Sequence, residues 1–134
     1  MKHLLILLIA ISPLLASCQP STARDLPPAA AASKKAFEVL PAAAYQAKMT
    51  ELPELQLLDV RTPQEYAAGH IEGAINCDFY DNDFADQLQK LDKNRPVMLY
   101  CRSGARSAQA AKRMEAMGFT ELYDLRGGYL AWPK

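Results

Sequence analysis

The chain is poor in the residues that usually build metal sites. Its 134 residues include two histidines, His3 and His70, and three cysteines, and these form no cluster with metal-ligand spacing. The formal net charge is zero at pH 7, which does not favour a nucleic-acid partner. The apolar stretch from Leu4 to Ile11 is far shorter than the roughly 20 residues of a membrane-spanning helix. We therefore expect no metal, no cofactor, no nucleic acid and no membrane span, and the sequence carries no internal repeat.

The N-terminal segment has the pattern of an export signal. Lys2 precedes the short apolar stretch, and small residues then lead into Cys18, as at a cleavage site. The residues Leu15-Ala16-Ser17-Cys18 resemble the lipobox of bacterial lipoproteins, in which the cysteine is acylated and becomes the mature N-terminus. This resemblance implies a lipoprotein signal peptide over residues 1–17 and a membrane anchor on Cys18. Ordinary secretion with an unmodified Cys18 is the alternative.

The same resemblance gives an expected location in the cell envelope. Gln19, rather than an aspartate, follows Cys18, which points to the periplasmic face of the outer membrane. Two or more acyl chains would make a stable anchor where one would be marginal. Residues 18–33 contain three prolines and an alanine run, so we expect an extended tether there. Residues 34–134 then form one small domain with a single core.

Strand and helix patterns alternate along this domain. Strands are predicted at 37–40, 55–60, within 71–76, at 97–100 and at 121–125. Helices are predicted at 41–49, 62–69, 84–91, 107–117 and 129–132, and Thr62 with Glu65 reads as a capping box. The alternation predicts an α/β fold, with a small, mostly parallel sheet of about five strands and helices on both faces. Ligands bind at the carboxyl ends of such strands, where Asp59 and Cys101 lie.

The stretch from Val97 to Ser107 is the strongest candidate for chemistry. An apolar strand ends at Cys101, and a short loop then leads into a helix. Such a turn directs backbone N–H groups at one point, where they would hold a thiolate or an anion bonded to it. Arg102 and Arg106 lie near the helix N-terminus, where cations are unfavourable, so we expect something negative to offset them. A buried structural cysteine is the alternative.

Several short motifs, in this order and spacing, resemble the single-domain rhodanese family of sulfurtransferases over residues 35–132. They are Leu58-Asp59-Val60-Arg61, Glu65-Tyr66, Gly69-His70-Ile71-Glu72-Gly73-Ala74, Tyr100-Cys101-Arg102-Ser103-Gly104-Ala105-Arg106-Ser107, and Leu125-Arg126-Gly127-Gly128 followed by Trp132. The resemblance implies a rhodanese-like domain over residues 34–134. In that family, the loop cysteine takes a sulfane sulfur from an anionic donor such as thiosulfate, becomes a persulfide and passes the sulfur to cyanide or a thiol.

The resemblance also assigns roles to residues of this chain. Cys101 would be the nucleophile, and Asp59 and Arg61 would support its loop. Independently of the resemblance, the spacing of four residues allows a local pair of Arg61 with Glu65. His70 and Trp132 would be structural, and we expect a monomer. The donor would be bound by the loop residues Arg102, Ser103, Gly104, Ala105 and Arg106.

Three other functions remain open at this point. Four residues separate Cys101 from Arg106, whereas the cysteine phosphatases that resemble this loop have five, which favours sulfur transfer over phosphate hydrolysis. A non-catalytic binding module is a further alternative, although inactive relatives typically lack the cysteine that is present here. A thiol redox protein would use Cys77 as a resolving thiol, whereas a small buried hydrophobe is the simpler interpretation of Cys77.

Overall fold

The computed structural model describes residues 37–134. The predicted signal peptide, the tether and Cys18 lie outside the described residues, so membrane anchoring stays a prediction. Within residues 37–134, no helix is long and apolar enough to span a bilayer. The elements run in the order β1 (Phe37–Leu40), α1 (Ala42–Glu51), β2 (Gln56–Asp59), α2 (Pro63–Ala67), β3 (Ile75–Asn76), α3 (Phe84–Gln89), β4 (Val97–Tyr100), α4 (Ala105–Ala116), β5 (Leu122–Leu125) and a terminal 3-10 helix (Gly128–Ala131).

The five strands form one parallel sheet in the order β1-β5-β4-β2-β3. This confirms the predicted α/β architecture and makes the sheet entirely parallel. Strand β4 lies at the centre, and all four of its residues are buried. Its uniformly apolar side chains suit this position, because a central parallel strand is covered on both faces. The carboxyl end of β4, where Cys101 follows, is therefore held by a strand on each side.

Helices cover both faces of the sheet. Alternate residues of β4 point to opposite sides, so Leu99 packs with α3 and α4 while Met98 packs with α1. Phe84 of α3 and Met114 of α4 are fully buried on the first side, and Tyr45 of α1 is fully buried on the second. The two apolar clusters fix the sheet from both sides and leave the strand ends as the place for a site.

Several element boundaries differ from the sequence predictions, and three of the differences concern α4, β3 and the last helix. Helix α4 begins at Ala105 rather than at 107, because Gly104 adopts a left-handed conformation (φ 101°) and serves as the N-cap. The third strand is limited to residues 75–76, since the N–H of Ala74 donates to the carbonyl of Ile71 (3.0 Å) and closes a turn. The last helix is a single 3-10 turn that begins at Gly128.

Candidate active site

Cys101 is the first residue after the central strand β4, and its side chain is 1% exposed. Two hydrogen-bond donors of the following loop and helix point at its sulfur. The backbone N–H of Gly104 lies 3.1 Å from Sγ, and the hydroxyl of Ser107 lies 3.5 Å from it. One backbone N–H of the predicted loop and one hydroxyl of α4 therefore contact the sulfur. Ser107 had no predicted role, although a serine on an otherwise apolar helix face is a signal that could have identified it.

These donors change the acidity of Cys101. Burial acts to raise the pKa of the thiol, because it disfavours the charged form. Hydrogen bonds from the Ser107 hydroxyl and from the backbone N–H groups of Ser107, Ser103 and Gly104 outweigh burial, so the pKa lies below its ordinary value. Hydrogen bonds to the sulfur are therefore the cause that stabilises the thiolate. A larger thiolate fraction makes Cys101 a better nucleophile at neutral pH.

The terminal 3-10 helix donates hydrogen bonds to the backbone of the loop that begins at Cys101. The N–H of Tyr129 donates to the carbonyl of Cys101 (2.7 Å), and the N–H of Leu130 donates to the carbonyl of Arg102 (3.1 Å). Gly128 makes this approach possible: a Cβ there would lie 2.5 Å from the Cys101 oxygen and 2.6 Å from the Arg102 carbonyl carbon. Gly127 and Gly128 belong to a motif of the sequence, but their contact with the loop could not be predicted, because Gly128 and Cys101 are 27 residues apart in the chain.

Asp59 and Arg61 form a buried ion pair beside the site. The Arg61 guanidinium donates to both carboxylate oxygens of Asp59 at 2.6–3.0 Å, and the pair is at most 4% exposed. Arg61 also donates to the carbonyl of Gly69 (2.7 Å) and lies over the Tyr129 ring at 4.1 Å. Arg61 therefore links the end of β2 to the 3-10 helix that supports the loop. Support of the loop by Arg61 stays a prediction. The local pair of Arg61 with Glu65 that the spacing allowed is not formed, because Arg61 pairs with Asp59.

Glu65 pairs with Arg106 instead, because α2 turns its carboxylate toward the start of α4. Two hydrogen bonds of 2.7 and 2.8 Å join the side chains, and Glu65 also closes the predicted capping box with Thr62. The Arg106 hydrogen bond lowers the pKa of Glu65 to about 2. Arg106 was predicted to bind substrate, but the structure gives its guanidinium an internal carboxylate. The expected negative partner of Arg106 is thus part of the protein.

The Glu65–Arg106 pair should make stability depend on acid pH. Because the folded pKa of Glu65 is lowered, its contribution is present above the ordinary value near 4.5 and lost as pH falls toward 2. Glu65→Gln keeps a residue that suits the capping box and removes the charge. At pH 7, we expect the unfolding free energy of the wild type to exceed that of this variant by about 1 kcal/mol, which allows for partial solvent screening. This difference should vanish near pH 2.

Denaturant titrations at several pH values would measure this difference. Glu72→Gln is a matched control, because Glu72 is exposed and its loss should leave the pH dependence unchanged. An equal loss at pH 7 and pH 2 for Glu65→Gln would contradict a contribution from the ion pair.

Arg102 is the cation that faces solvent at this site. Its side chain is exposed and makes no ion pair with any residue of the range 37–134. It borders a shallow cleft of about 180 Å³ next to the loop, which Tyr129 and Leu130 also line. Of the two arginines, Arg102 is therefore the one available to an external anion.

Cys77 differs from Cys101 in the direction of its pKa shift and in its surroundings. Both are free thiols, but burial, with the carboxylates of Asp83 and Asp78 adding to it, raises the pKa of Cys77 to about 11. Cys77 lines a separate, larger cavity of about 350 Å³. A thiol that stays protonated at neutral pH is a poor resolving group, which favours the simpler interpretation of Cys77.

The structure gives His70 and Trp132 packing contacts. His70 stacks on the Tyr66 ring with 3.8 Å between centroids, and its Nδ1 lies 3.1 Å from the Tyr66 carbonyl oxygen. Trp132 packs edge-on against the buried Tyr45 at 6.2 Å. Neither contact reaches Cys101.

Comparison with known proteins identifies the family of this fold and loop. The family model described as "Rhodanese-like domain" matches residues 42–134. The thiosulfate sulfurtransferase GlpE of Shewanella oneidensis is 34% identical over 85 residues, which are 63% of this chain and 82% of that protein. The uncharacterized protein YqhL of Bacillus subtilis is 39% identical over 77 residues, which are 58% of this chain and 60% of that protein.

A solved structure supports the same relationship. The rhodanese-like domain protein from Staphylococcus aureus superposes with a TM-score of 0.64 at 29% identity, covering 72% of this chain and 92% of that one. The comparisons confirm the resemblance that the motifs indicated.

Proposed function

Because the chain belongs to the rhodanese-like domain family and has sulfurtransferases among its relatives, we propose that it moves a sulfane sulfur from a thiosulfate-like donor to cyanide or a thiol through a persulfide on Cys101. The observation that carries this proposal is the single thiol at the end of β4, with N–H and O–H donors directed at its sulfur. These donors favour the anionic form that the chemistry needs.

The reaction would proceed by two displacements. The Cys101 thiolate attacks the outer sulfur of thiosulfate, an S–S bond forms to Sγ, and sulfite leaves with the electron pair of the broken S–S bond. The negative charge now lies on the terminal sulfur of the persulfide. The acceptor then attacks that sulfur, and Cys101 leaves as a thiolate. No net oxidation is required, and the loop donors stabilise negative charge near Cys101 at each stage.

The charges around the loop favour an anionic donor. Arg106 is already neutralised by Glu65, whereas Arg102 is exposed at the cleft. Arg102 would therefore attract the donor dianion, while the backbone N–H groups hold the sulfur. A charge that acts equally on bound donor and transition state lowers KM without changing kcat.

Steady-state kinetics with thiosulfate and cyanide, compared with hydrolysis of an aryl phosphate, tests this proposal. We expect thiocyanate formation, no measurable phosphatase activity and one added sulfur atom on the peptide that carries Cys101. Aryl phosphate hydrolysis without persulfide formation would overturn the proposal.

Arg102→Ala should raise the KM for thiosulfate several-fold with little effect on kcat, and Arg102→Lys should restore most of the affinity.

A further inference from the structure

The shallow cleft beside the loop contains one charge that the described part of the protein does not compensate. Arg61, Glu65 and Arg102 all line this cleft. The charge of Arg61 is compensated by Asp59, and that of Glu65 by Arg106. Arg102 makes no ion pair within the part of the chain that the structure describes. A ligand with a single negative charge therefore complements this cleft, because Arg102 is left to bind it.

Leu130 gives the same cleft an exposed aliphatic wall. Its side chain is 64% exposed and lines the cleft together with Arg102. The backbone N–H of Leu130 donates to the carbonyl of Arg102 at 3.1 Å, and this hydrogen bond holds the two residues side by side. A cation next to an aliphatic side chain matches a ligand that carries a carboxylate on a short carbon chain.

The cleft borders the loop around Cys101 at both ends of that loop. Arg102 follows Cys101 directly in the chain. Glu65 is joined to Arg106, at the other end of the loop, by hydrogen bonds of 2.7 and 2.8 Å. The volume of the cleft is about 180 Å³, which is less than the roughly 300–1,000 Å³ of sites for drug-sized ligands. A small molecule bound there would therefore lie against the loop that surrounds the sulfur.

The charge of Arg102 is available again in the second half of the proposed reaction. Sulfite leaves before the acceptor attacks, so the donor and the acceptor do not occupy the site together. Cyanide has no further group that could use the cleft. A thiol that also carries a carboxylate would use both the cation and the aliphatic wall.

We propose that the sulfur acceptor is a small aliphatic thiol that carries a carboxylate, with Arg102 binding the carboxylate and Leu130 packing against the carbon chain. This inference rests on the proposed function and names the class of its acceptor. Arg102 and Leu130 would then be the residues that determine acceptor specificity.

The transfer step balances without any oxidant or reductant. After the outer sulfur of the Cys101 persulfide has taken up a proton from solvent, the acceptor thiolate attacks that sulfur. A new S–S bond forms to the acceptor, and the S–S bond to Cys101 breaks. Cys101 leaves as a thiolate with the electron pair of the broken bond, and the acceptor leaves as its own protonated persulfide.

The acceptor half of the reaction, measured alone, tests the proposal, because it separates acceptor binding from donor binding. The full chain is loaded with excess thiosulfate, freed of donor by gel filtration and mixed with mercaptopropionate, uncharged mercaptopropanol or cyanide. The rate is the loss of one sulfur atom from the peptide that carries Cys101. The rate with mercaptopropionate relative to mercaptopropanol should be about fivefold higher in the wild type than in Arg102→Ala, as for an exposed ion pair.

Leu130→Ala tests the aliphatic wall and keeps the backbone N–H that contacts the loop. We expect the rates with both thiols, relative to the rate with cyanide, to fall about threefold, and Leu130→Met to restore them. A merely structural loss would lower all three rates together. Ile75→Ala is the matched control, because Ile75 is 56% exposed on the edge strand β3, and it should leave every ratio unchanged.

The unmutated chain supplies a second measurement. Added sodium chloride should slow transfer to mercaptopropionate more than transfer to mercaptopropanol, since salt screens the attraction to Arg102. Equal thiol ratios in the wild type and Arg102→Ala, or equal effects of salt on both thiols, would overturn the inference. A persulfide that reacts with cyanide but with neither thiol would also overturn it and leave the proposed function standing. A chain that takes up no sulfur from thiosulfate would overturn both.

Discussion

Replacing Cys101 with serine should abolish sulfur transfer, with thiocyanate formation falling by about a thousandfold or more to the background rate. A serine hydroxyl is almost entirely protonated at neutral pH and forms no persulfide, yet it fits the same space. The loop donors at 3.1 and 3.5 Å from Sγ would then face an uncharged oxygen. Assays with thiosulfate and cyanide, together with the mass of the donor-treated protein, would measure the loss.

Cys77→Ser is the control for this substitution. Cys77 is buried, and burial raises its pKa to about 11, so it should take no part in the reaction. We expect this variant to keep most of its activity and to accept one sulfur atom. A comparable loss in both variants would favour a redox mechanism with two thiols and contradict the persulfide mechanism on Cys101.

Replacing Gly128 with alanine should disable the loop without touching any side chain of the site. The new Cβ would lie 2.5 Å from the Cys101 oxygen and 2.6 Å from the Arg102 carbonyl carbon, and both neighbours are backbone atoms that cannot rotate away. The loop must shift, and the N–H groups directed at Sγ shift with it. A displacement of about 1 Å is enough to lower kcat/KM by about a hundredfold.

Gly73→Ala separates this clash from the general cost of alanine at a positive φ. Gly73 has φ +80° with nothing within 4 Å of the added carbon, and Gly128 has φ +60°. Both variants should lose about 1–2 kcal/mol of stability from backbone strain, but only Gly128→Ala should lose activity. Persulfide formation at the wild-type rate in Gly128→Ala would show that the 3-10 helix does not position the loop.

Much of the fold and the centre of the site could be predicted because their signals are local. The apolar run of β4, the cysteine that ends it and the loop that follows are neighbours in sequence, so spacing alone places them at one strand end. The capping box of Thr62 and Glu65 was predictable for the same reason, and the structure contains it. The family motifs then led to the prediction of sulfur transfer at Cys101.

The partners of the charged residues could not be predicted in this way. Arg106 pairs with Glu65, which lies 41 residues earlier, and a helix-spacing argument had assigned Glu65 to Arg61 instead. Arg61 turns to Asp59 because Asp59 ends a buried strand and needs a cation there. The partner of each charged side chain depends on which helix lies over which strand end. The local sequence pattern does not contain that information.

The sequence by itself determined the alternating parallel architecture, the cysteine that follows β4 and the loop that surrounds it, since each follows from residues within about a dozen positions. The tertiary structure decided how that loop is held and which groups act on it. The strand order β1-β5-β4-β2-β3 brings β5 beside β4, and the 3-10 helix that follows β5 then donates a hydrogen bond to the carbonyl of Cys101. Contacts between residues far apart in the chain arise only when the strands are assembled in one order, and that order is fixed by packing on both faces of the sheet.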